Sequence, residues 1–491
     1  MKRTSKKIMK MYSILLASAM ILGLSACGNS DKEAKKVNEV IAASTEDESD
    51  NSELQSVEAA ETAEEKQNDD SSENKKEKKQ KKSSSTDKKT LSTNKTKKAG
   101  SKAYSSGTNT NKSSDSSGTS STTISDDGTY TNSADGEHVI EADGETTAYS
   151  DITVNKTGDS SGDEADFYGE NSAIFATNGA NLTLNNISVN TAGTHANGVF
   201  SYGTGTTITI SDSTIYTTGN CSGGLMTTGG GTMIANNLTI HTTGNSSAAI
   251  RSDRGGGTVK VTKGTYTTDG TGSPVIYSTA DITVTDATLT STASQGVVVE
   301  GKNSVTLNNV DLTANNNTKN SDKSDYYQAV MIYQSMSGDA DEGTASYSMS
   351  EGSITNKNGD IFFVNNTSAT IELNDVDITN EDSDGVFLRA EAAGWENEGS
   401  NGGQVTLEAT NQEIEGDMIV DDVSSLDLTL TNGSEFTGAI NPDGEAGEVN
   451  VTISKDSTWN LTDDSYITSL DAEENYINLN GYTLYVDGNA Y

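Results

Sequence analysis

Proline and large aromatic residues are scarce in this chain: two Pro, two Trp and seven Phe among 491 residues. That scarcity disfavours an ordinary helical or mixed globule and leaves short strands joined by many turns. Two cysteines, Cys27 and Cys221, are too few for a disulfide framework, and neither stands in a Cys/His cluster with zinc spacing. Cys221 reads as a small packing residue at a turn. Positive charge is missing where the chain looks folded: from Thr131 onward there are 52 acidic and 11 basic residues. So acidic a surface repels nucleic acid and anionic membranes and attracts cations, and no nucleic-acid partner is expected.

Glycine is plentiful, 47 residues, with abundant Thr, Ser and Asn, and the order is a repeat. Similar segments begin at Leu182, Ile208, Met233, Val259, Ile282 and Val305, spaced 26, 25, 26, 23 and 23 residues apart. A period of this size means a stacked repeat architecture. Within a segment apolar and polar residues alternate (Leu182, Leu184; Ile208, Ile210; Val259, Val261), so one face points in and the other out. A poorer copy at 150–158 precedes the run, and an insertion at 315–325 interrupts it. Looser copies at Tyr347, Ile371, Val405, Leu426 and Val449 continue it. The predicted fold is all-β, a parallel β-helix solenoid whose coils hydrogen-bond to those above and below at roughly 4.8 Å.

Residues 1–27 read as a secretory signal, with Lys2, Arg3, Lys6, Lys7 and Lys10 ahead of an apolar run at 12–24 that is short for a membrane span. Leu24-Ser25-Ala26-Cys27-Gly28 resembles a bacterial lipobox. That resemblance implies cleavage before Cys27 and lipid on its sulfur, which holds the protein at the extracellular face of the cell membrane. Residues 28–128 are poor in large apolar side chains and rich in charge, as in a disordered stalk. Thirteen lysines at 74–112 offer a contact to cell-wall polymers or lipid headgroups. The β-helix is assigned to 129–491.

Later in each copy a second strand recurs. Ile250, Ile276, Val299, Ile332, Phe363 and Leu388 align in one apolar column, expected to point inward. The following residues, Arg251, Tyr277, Glu300, Tyr333, Val364 and Arg389, are then expected to point outward, with Gln334 beside them. Tyrosine stacks on sugar faces while Arg, Glu and Gln hydrogen-bond hydroxyls. Arg251, Tyr277, Glu300, Tyr333, Gln334 and Arg389 are therefore the candidate ligand site, with Tyr266 and Trp395 expected nearby. The bland alternative is a plain surface stripe.

The stretches 251–258, 272–279, 330–339 and 439–447 resemble secreted, right-handed parallel β-helix proteins of the pectin-lyase-like type. More narrowly, they resemble lipid-anchored, adhesin-like or carbohydrate-binding β-helix surface proteins of Gram-positive bacteria. The resemblance covers residues from about 130 to 491. It implies handedness, a surface location and a glycan or surface-protein ligand, and it implies no catalytic residues.

A polysaccharide hydrolase needs two placed carboxylates. Glu381, Asp382 and Asp384 share a turn, but among 52 acids a chance cluster is expected. For a lyase, Arg251, Asp253 and Arg254 offer a cation and a base, although neutralising neighbouring acids is the simpler role. His138, His195 and His241 stand alone in the sequence. Calcium is the one cofactor considered, with Asp339, Asp341, Asp382 and Asp384 as candidate oxygen ligands outside any EF-hand spacing. The reading is adhesion or glycan binding without catalysis, set against a polysaccharide lyase or hydrolase and against a structural display rod.

Overall fold

A computed structural model describes residues 121–491 apart from 320, 397–398, 445–446 and 455; the signal, Cys27 and the linker up to 120 lie outside the described residues. The described chain is all-β. One sheet has 19 strands and a second has 11, built by parallel pairing of successive coils, the arrangement of a β-helix solenoid. Antiparallel pairs occur at the two ends, where Thr123–Ile124 meets Thr129–Asn132 and Leu484–Val486 meets Asn489–Ala490. Such turned-back strands cover edges that would otherwise template association.

In the long sheet the register follows the repeat. Leu182, Ile208, Met233, Val259, Ile282 and Val305 pair in one row. Tyr347 and Ile371 continue it, and Val405, Leu426 and Val449 form a row beside it. All are buried in one continuous core. Many coils bend within this sheet at a single residue of positive φ, for example Asn186, Asp212, Asn237, Asp286 and Asn309, with φ of 50, 51, 55, 56 and 52°; two others bend at the pairs Lys263-Gly264 and Glu351-Gly352. Asn and Asp tolerate that conformation better than other side chains. Their side chains also link coil to coil: Nδ2 of Asn186, Asn237 and Asn309 donates to Oδ1 of Asp151, Asp212 and Asp286 at 2.7, 2.7 and 2.8 Å.

A second corner stacks Gly193, Gly219, Gly244 and Gly270. The glycines are needed for space: a Cβ on Gly219 would lie 1.9 Å from the Gly193 carbonyl oxygen. A serine ladder runs beside them. Ser222 Oγ donates to Gly193 O and accepts from Ala196 N, both at 2.9 Å. Ser247 repeats this with Gly219 O at 3.1 Å and Ser222 N at 2.9 Å. Gly219→Ala is expected to lower the unfolding free energy by about 1–3 kcal/mol, because the coils must separate locally to admit the methyl group. Urea denaturation measures this, and an unchanged midpoint would show that the corner yields freely.

The second sheet departs from the expected column. Ile250 and Ile276 pair with Val297, Val330, Phe362 and Leu388. Val299 and Ile332 are thus two residues out of the expected row but still inward. Phe363 is one residue out, so it points outward and Val364 points into the core. The outward row is Arg251, Tyr277, Val298, Met331, Phe363 and Arg389, with Glu300 and Tyr333 in a neighbouring row. Alternation carries no phase here, because Val297-Val298-Val299 and Phe362-Phe363-Val364 are apolar on both faces.

Candidate functional site on the outer face of the second sheet

The outer face of the second sheet is largely covered, which corrects the expectation of an open ladder. Strands Gln328–Tyr333 and Asp360–Asn365 are buried along their whole length. Val298, Met331, Tyr333, Phe363 and Trp395 form an apolar cluster separate from the main core. Its cover comes from segments outside the repeat. Trp395 lies edge-on to Tyr333 at 5.3 Å, and Tyr326 lies 6.4 Å from Phe363. Gly394 N donates to Lys323 O at 2.6 Å, which ties the insertion to the segment that carries Trp395. Toward the N-terminal coils, Phe175, Phe200 and Met226 form a smaller cluster. The short helix Asp163–Phe167 attaches there through Thr228 Oγ1, which donates to Phe167 O at 2.7 Å. Between the two covers Arg251 and Tyr277 stay partly exposed, while their row neighbours Met226 and Val298 are buried.

Four of the six predicted ligand residues converge at this gap. Glu300 accepts hydrogen bonds from Tyr277 and Ser335, and from Tyr333 at 3.3 Å. Arg251 Nη2 pairs with Asp253 Oδ2 at 2.7 Å. Arg254 joins the short helix to Asp339: Nε contacts Asp339 Oδ1 at 2.6 Å, Nη1 contacts Asp163 Oδ2 at 3.2 Å, and the guanidinium lies 3.6 Å over the Phe167 ring. Burial, reinforced by Asp339 and Glu300, pushes the Asp253 carboxyl up to about 7 despite Arg251. Burial also raises Glu300, against the hydrogen bonds from Ser335 and Tyr277, and raises the Tyr277 and Tyr333 phenols well above their usual range. The acids of the network are enclosed, Asp253 3 % exposed and Glu300 0 %, while Arg251, Arg254 and Tyr277 reach its partly exposed edge.

The remaining expected residues are placed otherwise. Gln334 is buried beside the network, its Nε2 on Ala340 O at 3.3 Å. Arg389 lies apart, bound to Asp360 at 2.7 Å and Glu391 at 3.2 Å under the Tyr326 ring. Tyr266 belongs to the main core, so it is not near the site. Among the calcium candidates, Asp339 is held by Arg254 and by Ser337 at 2.8 Å, and Asp341 by Lys302 at 2.8 Å. Asp382 caps a turn through Gly359 N at 2.7 Å and Asp384 N at 3.0 Å. The histidines are not isolated. His195 Nδ1 lies 2.6 Å from Asp166, and His241 Nε2 lies 2.7 Å from Asp269. His138 Nδ1 contacts Ser172 O at 2.9 Å. Among the described residues, Asp166, His195 and Cys221 bring ligand-type atoms within 4.8 Å of one another, but the Cys221 sulfur is disulfide-bonded and is not a free thiolate.

A small open cleft lies where the insertion meets the covered sheet. Tyr326, Tyr327, Trp395 and Met331 give it apolar surface; Gln295, Asn316, Gln328, Thr318, Ser321 and Ser324 give it amides and hydroxyls; Lys319 is its one charged residue among those described. In so acidic a protein a lining without carboxylates stands out. Two of its polar atoms, Trp395 Nε1 and Gln328 Oε1, are buried without a hydrogen-bond partner. Sequence reasoning placed Trp395 near the outward ladder, where it meets Tyr333, and did not foresee the cleft or the parts of Gln295, Tyr326 and Gln328 in it. The available signal was the insertion itself, the one place where the central repeat is broken and two tyrosines follow directly. No family model, curated protein or solved structure matches this chain.

Proposed function

We propose that this is a lipid-anchored surface protein whose β-helix, right-handed like about 98 % of parallel crossovers, binds glycans without catalysis. The signal and lipobox at 1–27 and the charged linker support display outside the cell. One observation carries the binding reading: the cleft at the insertion combines aromatic walls with amide and hydroxyl groups and lacks acids among its described lining residues. That is the mixture a sugar ring requires, apolar faces for its C–H patches and donors and acceptors for its hydroxyls.

The lyase or hydrolase reading draws on Asp253, which holds a proton near neutral pH. Its burial, and that of Glu300, argues against it, because a carboxyl closed to solvent does not reach a polysaccharide. The full-length protein on a glycan array is expected to retain at least one glycan class, and Tyr326→Ala to weaken that binding several-fold. The same glycans, incubated with the protein, are expected to gain no reducing ends or unsaturated uronates. Silence on every glycan removes the binding reading; product formation removes the non-catalytic one.

A further inference from the structure

We propose that the loop 335–339 is a pH-operated latch on the outer face of the second sheet, closed while the acids beneath it keep a proton and open once that proton leaves for solvent. The loop lies between strand Gln328–Tyr333 and strand Thr344–Asn356. Its ends are tied through the backbone: Gln334 O accepts from Asn366 Nδ2 at 2.9 Å, and Asp341 O accepts from Lys302 N at 3.0 Å. Between these ties its one large apolar side chain, Met336, is 47 % exposed, so apolar burial does not hold the loop down. Two polar side chains do. Ser335 Oγ donates to Glu300, and Asp339 pairs with Arg254 at 2.6 Å.

Both anchors end in a network short of positive charge. Asp253, Glu300 and Asp339 are all buried, and Arg251 and Arg254 are the guanidiniums that face them. The short helix draws on the same pair, with Asp163 at 3.2 Å from Arg254 and Asp166 acting on Arg251. Asp166 also holds His195 at 2.6 Å. Tyr277 and Tyr333 face Glu300 as neutral donors. Asp253 titrates at about 7, so its charge changes within the ordinary pH range. A charge added there repels Glu300 and Asp339 where water screens poorly. Asp253 is tied on both oxygens, by Arg251 Nη2 at 2.7 Å and Arg254 N at 3.1 Å, and Glu300 lies in a paired strand. Asp339 follows exposed Ser337 and Gly338 and is the acid placed to move into water. Its departure carries Ser335 off Glu300 and uncovers Tyr277, Glu300 and Tyr333. The device is independent of what the insertion cleft binds.

Hydrogen–deuterium exchange on the full-length protein at about pH 6 and about pH 8 tests this, with intrinsic exchange rates divided out. Protection at 335–339 is expected to fall about tenfold or more between the two, while strand Thr344–Asn356 keeps its protection. Asp253→Asn, neutral at both values, should keep the loop protected throughout. Asp339→Asn, which weakens the bond to Arg254, should leave it unprotected throughout. Equal protection of the wild-type loop at the two values overturns the latch, and so does a fall matched in every coil, which marks general destabilisation. A fall that persists in Asp253→Asn overturns the assignment to that acid. A loop still protected in Asp339→Asn overturns the anchor. The wild-type comparison decides the latch even where a variant fails to fold.

Discussion

Val364→Asp is expected to abolish stable folding, with a loss above about 4 kcal/mol. The register puts Val364 beside Ile332 and Ala390 in the main core, fully buried. A carboxylate there has no cation to pair with in the apolar column around it. The reverse orientation, with Phe363 inward and Val364 on the surface, predicts a change within about 0.5 kcal/mol. Chemical denaturation followed by circular dichroism separates the two. A variant that unfolds at the wild-type midpoint would overturn the pairing of Ile332 with Val364. Phe363→Ala gives the companion result: it should loosen the cover around Met331 and Trp395 while leaving the coils stacked.

The second large effect is a pH dependence centred on Asp253. Its carboxyl titrates at about 7 in the folded protein, against about 3.9 in an unfolded chain. The folded state therefore holds the proton more tightly. The stabilisation is full below the unfolded value and disappears as pH rises through 7. Between pH 5 and 8 the unfolding free energy should fall by about 2–4 kcal/mol. Glu300, also raised by burial, adds in the same sense. Asp253→Asn should flatten the slope by at least half, whatever it does to absolute stability through Arg251. Denaturation midpoints across that pH range decide the matter, and an unaltered slope in the variant would locate the titration elsewhere.

The two sheets differed in how far the residues announced them. In the long sheet Leu182, Leu184, Ile208 and Ile210 alternate with Thr and Asn, so one face is wet, the other dry, and the phase is unambiguous. In the second sheet Val297-Val298-Val299 and Phe362-Phe363-Val364 offer apolar groups to both sides. Such a run marks a strand covered twice, yet it hides which residue faces which cover. That is why Glu300 and Tyr333, read as solvent-facing, are enclosed, while Arg251 and Tyr277, from strands with one apolar face, were placed on the outer face as expected. The cleft was legible only as an interruption. Which residues meet Trp395 depends on how the insertion returns over the sheet, and repeat spacing carries no trace of that path.

The pairing of Val297 with Val330 across the insertion has a consequence for engineering. The chain leaves the stack after Ala314 and re-enters at Gln328 with the next coil's strand still in step. A segment that departs and returns beside the same rung asks only that its ends meet; the price of a longer loop grows slowly, by about 0.6 kcal/mol per doubling. The rod therefore behaves as a socket. Foreign loops of varied length fitted between these two points would alter what the surface recognises while the coils beneath keep their order.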